Sequence, residues 1–267
     1  MTVANERWLL QLPDTVPAVV RLRHVDKPRA VTLLATGEAL PFDYDAGDLT
    51  IGLAGLPAPL AGEVLQLRYR PNRWRERMGI FMESDAAAAP AKAWGVLLTG
   101  SSTAAGWRVD AWFADSNVLN RGFGGSQFVD LFCFAGEIMG NHAPHTIVLY
   151  SGDNDIQDGK PPDRVFADCV AAVARFHGIA PQSRIILLAI KPSPSRWDKY
   201  PAMQEANALM ERYAATREHV EFLDLGKLLL DADGVPDPVC YQPDALHLSE
   251  EGYRRWSETL RPLLQGE

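Results

Sequence analysis

The chain has 267 residues, 47% of them hydrophobic and 22% charged, with a formal net charge of −8. That balance describes a globular protein with enough apolar residues for a sizeable core, as one large domain or one plus a small partner. The acidic surplus argues against a nucleic-acid partner, which needs a positive surface, and no apolar run approaches the ~18 residues of a membrane span.

The opening stretch MTVANERWLLQLPDTV lacks a basic segment followed by a long apolar one, so no signal peptide is expected. A cytoplasmic location is the simplest expectation, although a secreted chain with its leader removed would read the same. In the first 84 residues short apolar runs alternate with turn residues. Leu49, Ile51 and Leu53 share one face of a period-two pattern, as do Leu65, Leu67 and Tyr69. Asp45-Ala46-Gly47-Asp48 and Leu56-Pro57-Ala58-Pro59 sit between such runs as turns. This predicts a small all-β domain over 1–84 with five or six strands. Arg68, Arg70, Arg73, Arg75 and Arg77 end it as a basic run, expected to pair with acidic residues of the same chain. The Ala/Pro stretch 85–93, DAAAAPAKA, reads as a linker.

From 94 to 267 the rhythm changes to strand and helix in alternation. Val96–Thr99, Thr146–Tyr150, Arg184–Ile190 and Val220–Leu225 are apolar runs without alternation, as parallel strands covered on both faces require. A shorter strand is expected near Asn117–Leu119. Helices are expected over Pro161–Phe176 and Pro201–Thr216, each with an apolar stripe at helical spacing, and over about Ser249–Leu264, which begins at a serine suited to a cap. Alternating elements of this kind imply a doubly wound parallel sheet, whose site lies at the carboxyl ends of the strands. The three cysteines, Cys133, Cys169 and Cys240, are widely separated and odd in number. They show no zinc-type spacing and are expected to be buried or half-buried thiols.

Four segments fall just after predicted strands or in the last loop. Gly100-Ser101-Ser102-Thr103 can expose a serine hydroxyl on a tight strand-to-helix turn, or can simply cap the helix. Asn120-Arg121-Gly122-Phe123-Gly124-Gly125-Ser126 has three glycines in four residues, so a backbone N–H can point into a cleft; an ordinary turn would use them too. In Gly152-Asp153-Asn154-Asp155 the Asn154 amide could face an oxyanion while Asp153 or Asp155 caps the next turn. Asp244-Ala245-Leu246-His247 places a carboxylate three residues ahead of a histidine, close enough to fix its tautomer. Each segment alone is common, and their joint order is what points to nucleophile, oxyanion donors and base.

In that order, NRGFGGS, YSGDNDI and DALHLSEEGY together with the Gly-Ser-Ser turn resemble the consensus blocks of the SGNH (GDSL-type) hydrolases, over roughly residues 94–264. The resemblance implies a flavodoxin-like three-layer α/β/α domain beside the small N-terminal β-domain. By position it makes Ser102 the nucleophile, His247 its base and Asp244 the orienting acid. It also makes the Ser102 and Gly125 N–H groups and the Asn154 amide the oxyanion donors. Ser101 stands where the common block has aspartate, which leaves Ser101 as the alternative attacking hydroxyl. No metal or cofactor is implied, and the chemistry is acyl transfer through an acyl-enzyme.

Ile190-Lys191-Pro192-Ser193-Pro194-Ser195-Arg196-Trp197 follows a strand and so lies on the same rim, where Arg196 and Trp197 could contact substrate or merely pack the loop. His142 and His145, split by Pro144, read as a surface loop. The segment from Ala35–Phe42 through Gly62–Leu67 resembles the small β-sandwich that ends some alpha-L-fucosidases. An SGNH domain joined to such a unit resembles carbohydrate esterases, so the expected substrate is a small acetyl ester of a sugar or oligosaccharide. A broad short-chain aryl or lipid esterase, thioesterase included, is the other enzymatic reading. A degenerate, non-catalytic glycan-binding protein is the reading from another class.

Overall fold

The computed structural model describes residues 2–4, 7–22, 28–45, 48–56, 60–68, 74–87 and 94–264. The chain divides into two compact units, Met1–Glu76 and Arg77–Glu267. Among the described residues the first unit holds seven strands: β1 (Thr2–Ala4), β2 (Arg7–Gln11), β3 (Val19–Leu22), β4 (Ala30–Leu33), β5 (Phe42–Asp45), β6 (Asp48–Gly52) and β7 (Val64–Arg68). They form two antiparallel sheets, in the orders β1-β2-β7-β4 and β3-β6-β5. Leu49, Ile51, Leu53, Leu65 and Leu67 are all buried, as the period-two pattern requires. Tyr69, the turn residues Ala46, Gly47, Pro57, Ala58 and Pro59, and Arg70 and Arg73 of the basic run lie outside the described residues. Arg75 and Arg77 are exposed.

The expected linker begins instead as the end of a helix, α1 (Arg75–Ala87), within whose sequence the first unit ends and the second starts. Only Met78 and Phe81 are buried on it, one short i, i+3 stripe amid charges and alanines. Residues 88–93 lie outside the described residues. Near its end, Asp85 accepts a bond from Arg121 and pairs with the His142 ring at 2.9 Å, while the Arg121 guanidinium lies 4.7 Å from the centre of the Phe81 ring. His145 is exposed, but His142 is half-buried by this pairing.

The second unit continues with β8 (Val96–Gly100), α2 (Ser102–Ala105), α3 (Val109–Trp112), β9 (Val118–Gly122), α4 (Phe128–Met139), β10 (Thr146–Tyr150) and α5 (Asp153–Gln157). Then come α6 (Pro162–Ile179), β11 (Arg184–Leu188), α7 (Tyr200–Ala214), β12 (Val220–Leu223) and α8 (Glu250–Leu264). The five strands are parallel in the order β12-β11-β10-β8-β9, the flavodoxin-like winding, which reverses direction between β8 and β10. Every residue of β8 and β10 is buried, which explains their unbroken apolar sequences. Gly100 pairs with both Tyr150 and Gly122 in register, so three strands end at one level and release their loops together.

One aromatic cluster fixes α8 beneath that edge. Trp107 packs on Phe113, Tyr253 and Trp256, and Trp256 packs on Tyr150, at centroid separations of 5.5 to 5.8 Å. Both indole donors are satisfied, Trp107 Nε1 by Ser257 Oγ and Trp256 Nε1 by the Leu225 carbonyl, each at 2.8 Å. Cys169 and Cys240 are buried, Cys133 is half-buried, and all three are free thiols, as expected. Among the described residues no helix is long and apolar enough to cross a membrane.

Candidate active site

The serine turn starts at Gly100, whose φ of +139° and surroundings admit no side chain: a Cβ there would sit 1.7 Å from the Tyr150 carbonyl oxygen. The turn passes at once into α2, with Gly106 N–H donating to the Ser102 carbonyl and Ala105 N–H to that of Ser101. The two serines are then sorted by environment. Ser101 is 0% exposed, and its hydroxyl donates to Asp153 Oδ1 at 3.3 Å. Ser102 is only partly buried and is the first residue of α2, where a backbone N–H has no acceptor within the helix.

The glycine segment closes over the same turn. A Cβ on Gly124 would lie 3.5 Å from that of Ser102, so this backbone passes directly beside the serine. Gly125 has φ +79°, the left-handed conformation that three neighbouring glycines were expected to provide. Asn154, in the first turn of α5, donates from Nδ2 to the Ser126 carbonyl at 3.0 Å and so binds this segment to the end of β10.

Neither Asp153 nor Asp155 caps the turn that follows β10, contrary to expectation: the helix starts at Gly152 without a side-chain cap. Both carboxylates are buried and drawn elsewhere by stronger partners. Asp153 takes Ser101 on one oxygen and Arg196 Nη1 on the other, the latter at 2.9 Å. Asp155 accepts from the Phe128 N–H and from Lys160, which also bridges to Asp168. Burial pushes the Asp155 carboxyl up to about 6 against the pull of Lys160.

The last loop is held in shape by its own bonds. Asp244 Oδ1 accepts the N–H groups of Leu246 and His247 at 3.0 Å each, and its Oδ2 lies 2.5 Å from His247 Nδ1. The hydrogen bond from the His247 ring, followed by those backbone donors, holds the Asp244 carboxyl well below the usual carboxylate range. With Nδ1 as donor to Asp244, Nε2 is the nitrogen free to accept a proton. Ala245 reaches φ +57°, and a bridge between Tyr241 and Leu248 clamps the loop ends.

Two residues after β11 tie this loop to the rest. Ser195 N–H donates to the Ala245 carbonyl at 3.0 Å, and Lys191 Nζ donates to the Leu246 carbonyl at 2.8 Å. Lys191 is 1% exposed, and burial lowers its ammonium to about 8. Arg196 completes the chain of contacts, because its Nη2 also reaches Asn154 Oδ1 at 3.2 Å. On the other side, Tyr253 at the start of α8 donates to the Thr103 carbonyl at 2.9 Å. All four segments are therefore joined, through one or two hydrogen bonds each, at the carboxyl edge of β8, β9 and β10.

The Arg196 guanidinium is turned toward protein carboxylate and amide oxygens, with only 12% of its side chain exposed. Trp197 is 36% exposed and stacks on Tyr200 with ring centres 5.0 Å apart. Sequence reasoning missed Lys191 and the Ser101–Asp153–Arg196 chain. The one signal for Lys191 was a cation placed directly after an unbroken apolar strand.

The family model for GDSL-like lipases and acylhydrolases matches residues 91–255, well over half of the chain. No curated protein matches the sequence. Among solved structures, two similar ones are provisionally described as a platelet activating factor from Streptococcus pneumonia and an acylhydrolase from Bacteroides fragilis. The first is 23% identical with a TM-score of 0.65, over 71% of this chain and 92% of that one. The second is 22% identical with a TM-score of 0.60, over 72% and 95%. A GDSL-like lipase from Bacteroides thetaiotaomicron is 21% identical with a TM-score of 0.59, over 70% and 96%. At these identities the likenesses speak for the fold, and they agree with the parallel sheet. By the match over 91–255, the chain belongs to the GDSL-like lipase/acylhydrolase family, the SGNH hydrolases.

Proposed function

We propose that this acylhydrolase is a serine esterase that removes small acyl groups, acetyl first, from carbohydrate esters, with Ser102, His247 and Asp244 as its triad. His247 Nε2 takes the proton of Ser102 as Oγ attacks the ester carbonyl. The resulting oxyanion is met by the Ser102 and Gly125 N–H groups and the Asn154 amide. Collapse of the tetrahedral intermediate expels the alcohol, which receives the proton from His247. A water molecule then gives a proton to His247 and attacks the acyl-enzyme, and collapse of the second intermediate breaks the bond to Ser102 Oγ, which takes that proton back from His247 as the acid leaves. Asp244 stays ionised throughout and stabilises the imidazolium on its Nδ1 side.

The observation that carries this reading is the 2.5 Å contact of Asp244 with His247 Nδ1, in a loop bonded back to Lys191 and Ser195. The separation of a buried, engaged Ser101 from a partly exposed Ser102 supports Ser102 as the attacking hydroxyl. For the substrate, Trp197 supports the sugar reading. Its half-open face, braced by Tyr200, stands next to the arginine that holds Asn154, and an aromatic plane suits the apolar face of a pyranose.

The test is hydrolysis of p-nitrophenyl acetate by the wild type beside Ser102→Ala. Turnover is expected to fall by about 1,000-fold or more, and equal rates would end the proposal. Acetylated xylan and acetylated monosaccharides, set against acyl chains of rising length, test the substrate. Preference for the longer chains and indifference to sugars would select the broad lipid or aryl esterase instead.

A further inference from the structure

An amide serves an oxyanion in only one of its two orientations, with NH2 toward the negative oxygen and the carbonyl turned away. At Asn154 both sides of the choice are occupied. Arg196 Nη2 faces Oδ1 at 3.2 Å, and the Ser126 carbonyl faces Nδ2 at 3.0 Å. A guanidinium can only donate and a carbonyl can only accept, so a half-turn of the amide would break both bonds and set like against like. The Ser126 bond uses one of the two Nδ2 hydrogens. The guanidinium also draws electron density toward Oδ1, which strengthens the remaining N–H as a donor.

The same guanidinium is anchored from behind. Its Nη1 lies 2.9 Å from Asp153 Oδ2, and Asp153 Oδ1 holds the buried Ser101 hydroxyl, next to Ser102. Arg196 itself sits in the turn Pro194–Lys199, and the preceding residue, Ser195, holds the Ala245 carbonyl of the histidine loop. One planar cation thus touches the amide, reaches the serine turn through Asp153, and sits in a turn whose Ser195 bonds to the loop that carries the base.

We propose that Arg196 is a positioning residue for the hydrolytic reaction: it locks the Asn154 amide with its NH2 toward the oxyanion and keeps that amide in register with the serine turn. This rests on the reading of Asn154 as an oxyanion donor. Lysine cannot replace it fully, because an ammonium is a point charge and cannot serve two partners in one plane.

A double-mutant cycle with p-nitrophenyl acetate tests the proposal. Arg196→Met alone strands the Asp153 charge in a buried site, so Arg196→Met is combined with Asp153→Asn, and Arg196→Lys serves as a second, milder variant. In the wild-type background the pair is expected to lower kcat by about 10- to 100-fold with KM changed less than about twofold, as for an interaction made in the transition state. Arg196→Lys is expected to fall between the two. In an Asn154→Ala background the same changes should cost less than about twofold, because no amide remains to be held. Equal losses in both backgrounds, or a loss confined to KM, would overturn the positioning role. A wild-type kcat for Asn154→Ala itself would instead remove the oxyanion reading beneath it, and the two failures are distinct. Should the paired variant not fold, Arg196→Lys in the two backgrounds decides alone, since it retains the buried charge balance.

Discussion

Lys191 shows how one residue can carry a cost that its neighbours make worthwhile. Its amine is buried beneath the histidine loop, bonded to the Leu246 carbonyl and 5.7 Å from the centre of the Tyr241 ring. Burial lowers the folded value from 10.5 to about 8. Between those two pH values the unfolded chain holds a proton that the native one has released, so native stability rises as pH rises and is flat below 8. The wild type should therefore gain roughly 3 kcal/mol on Lys191→Met between pH 7 and pH 10.5, read from denaturant unfolding of both proteins. No change in the difference would show that the amine is not buried as described. At Asp244 the folded value is lowered as well, so stability again rises with pH, but here hydrogen bonds to the charged form are the cause, and what they contribute is lost as pH falls through the carboxylate range. Its carboxyl is held low by the His247 ring and by two backbone donors. Asp244→Asn should leave the loop folded yet cut kcat by about 10,000-fold, since the amide favours the wrong imidazole tautomer. Turnover within tenfold of wild type would contradict the triad.

At the scale of elements, legibility followed burial. Strands β8, β10 and β11 were readable because both faces are covered and their sequences are mostly apolar without alternation, and the loops they release were readable as site segments for the same reason. Helix α1 was hidden, because two buried residues in thirteen make a stripe too short to set a helical period. Helix α4, FVDLFCFAGEIM, was hidden by the opposite fault: it is rich in residues that suit strands and follows a glycine turn, so no helical period stood out. Ser102, Asn154, Asp244 and His247 could be named because each sits in a short local pattern. The partner of Arg196 could not, since Asp153 lies 43 residues upstream and only the sheet brings them together. The end of β8 also predicts an outcome. Gly100→Ala forces a side chain into the Tyr150 carbonyl at a positive φ, and backbone cannot move aside as a flexible side chain can. A loss of more than about 3 kcal/mol is expected from thermal or denaturant unfolding, and a near-neutral alanine would contradict the strand register.

At the scale of the whole molecule, every residue given a role in the chemistry lies within the unit Arg77–Glu267. Deleting residues 1–74 leaves α1 whole and should leave kcat for p-nitrophenyl acetate within about threefold of the full chain, as for a domain with its own core. If the N-terminal β-unit serves the sugar, KM for an acetylated oligosaccharide should rise in the same deletion while the small ester is unaffected. Loss of p-nitrophenyl acetate turnover would show that the two units act as one. The most direct measurement of the central claim is covalent. A fluorophosphonate that mimics the tetrahedral intermediate should add once per chain, on Ser102, as read by mass spectrometry of the digested protein. It should fail to add to Ser102→Ala. An adduct on Ser101, or no adduct on a protein that still cleaves esters, would contradict the account.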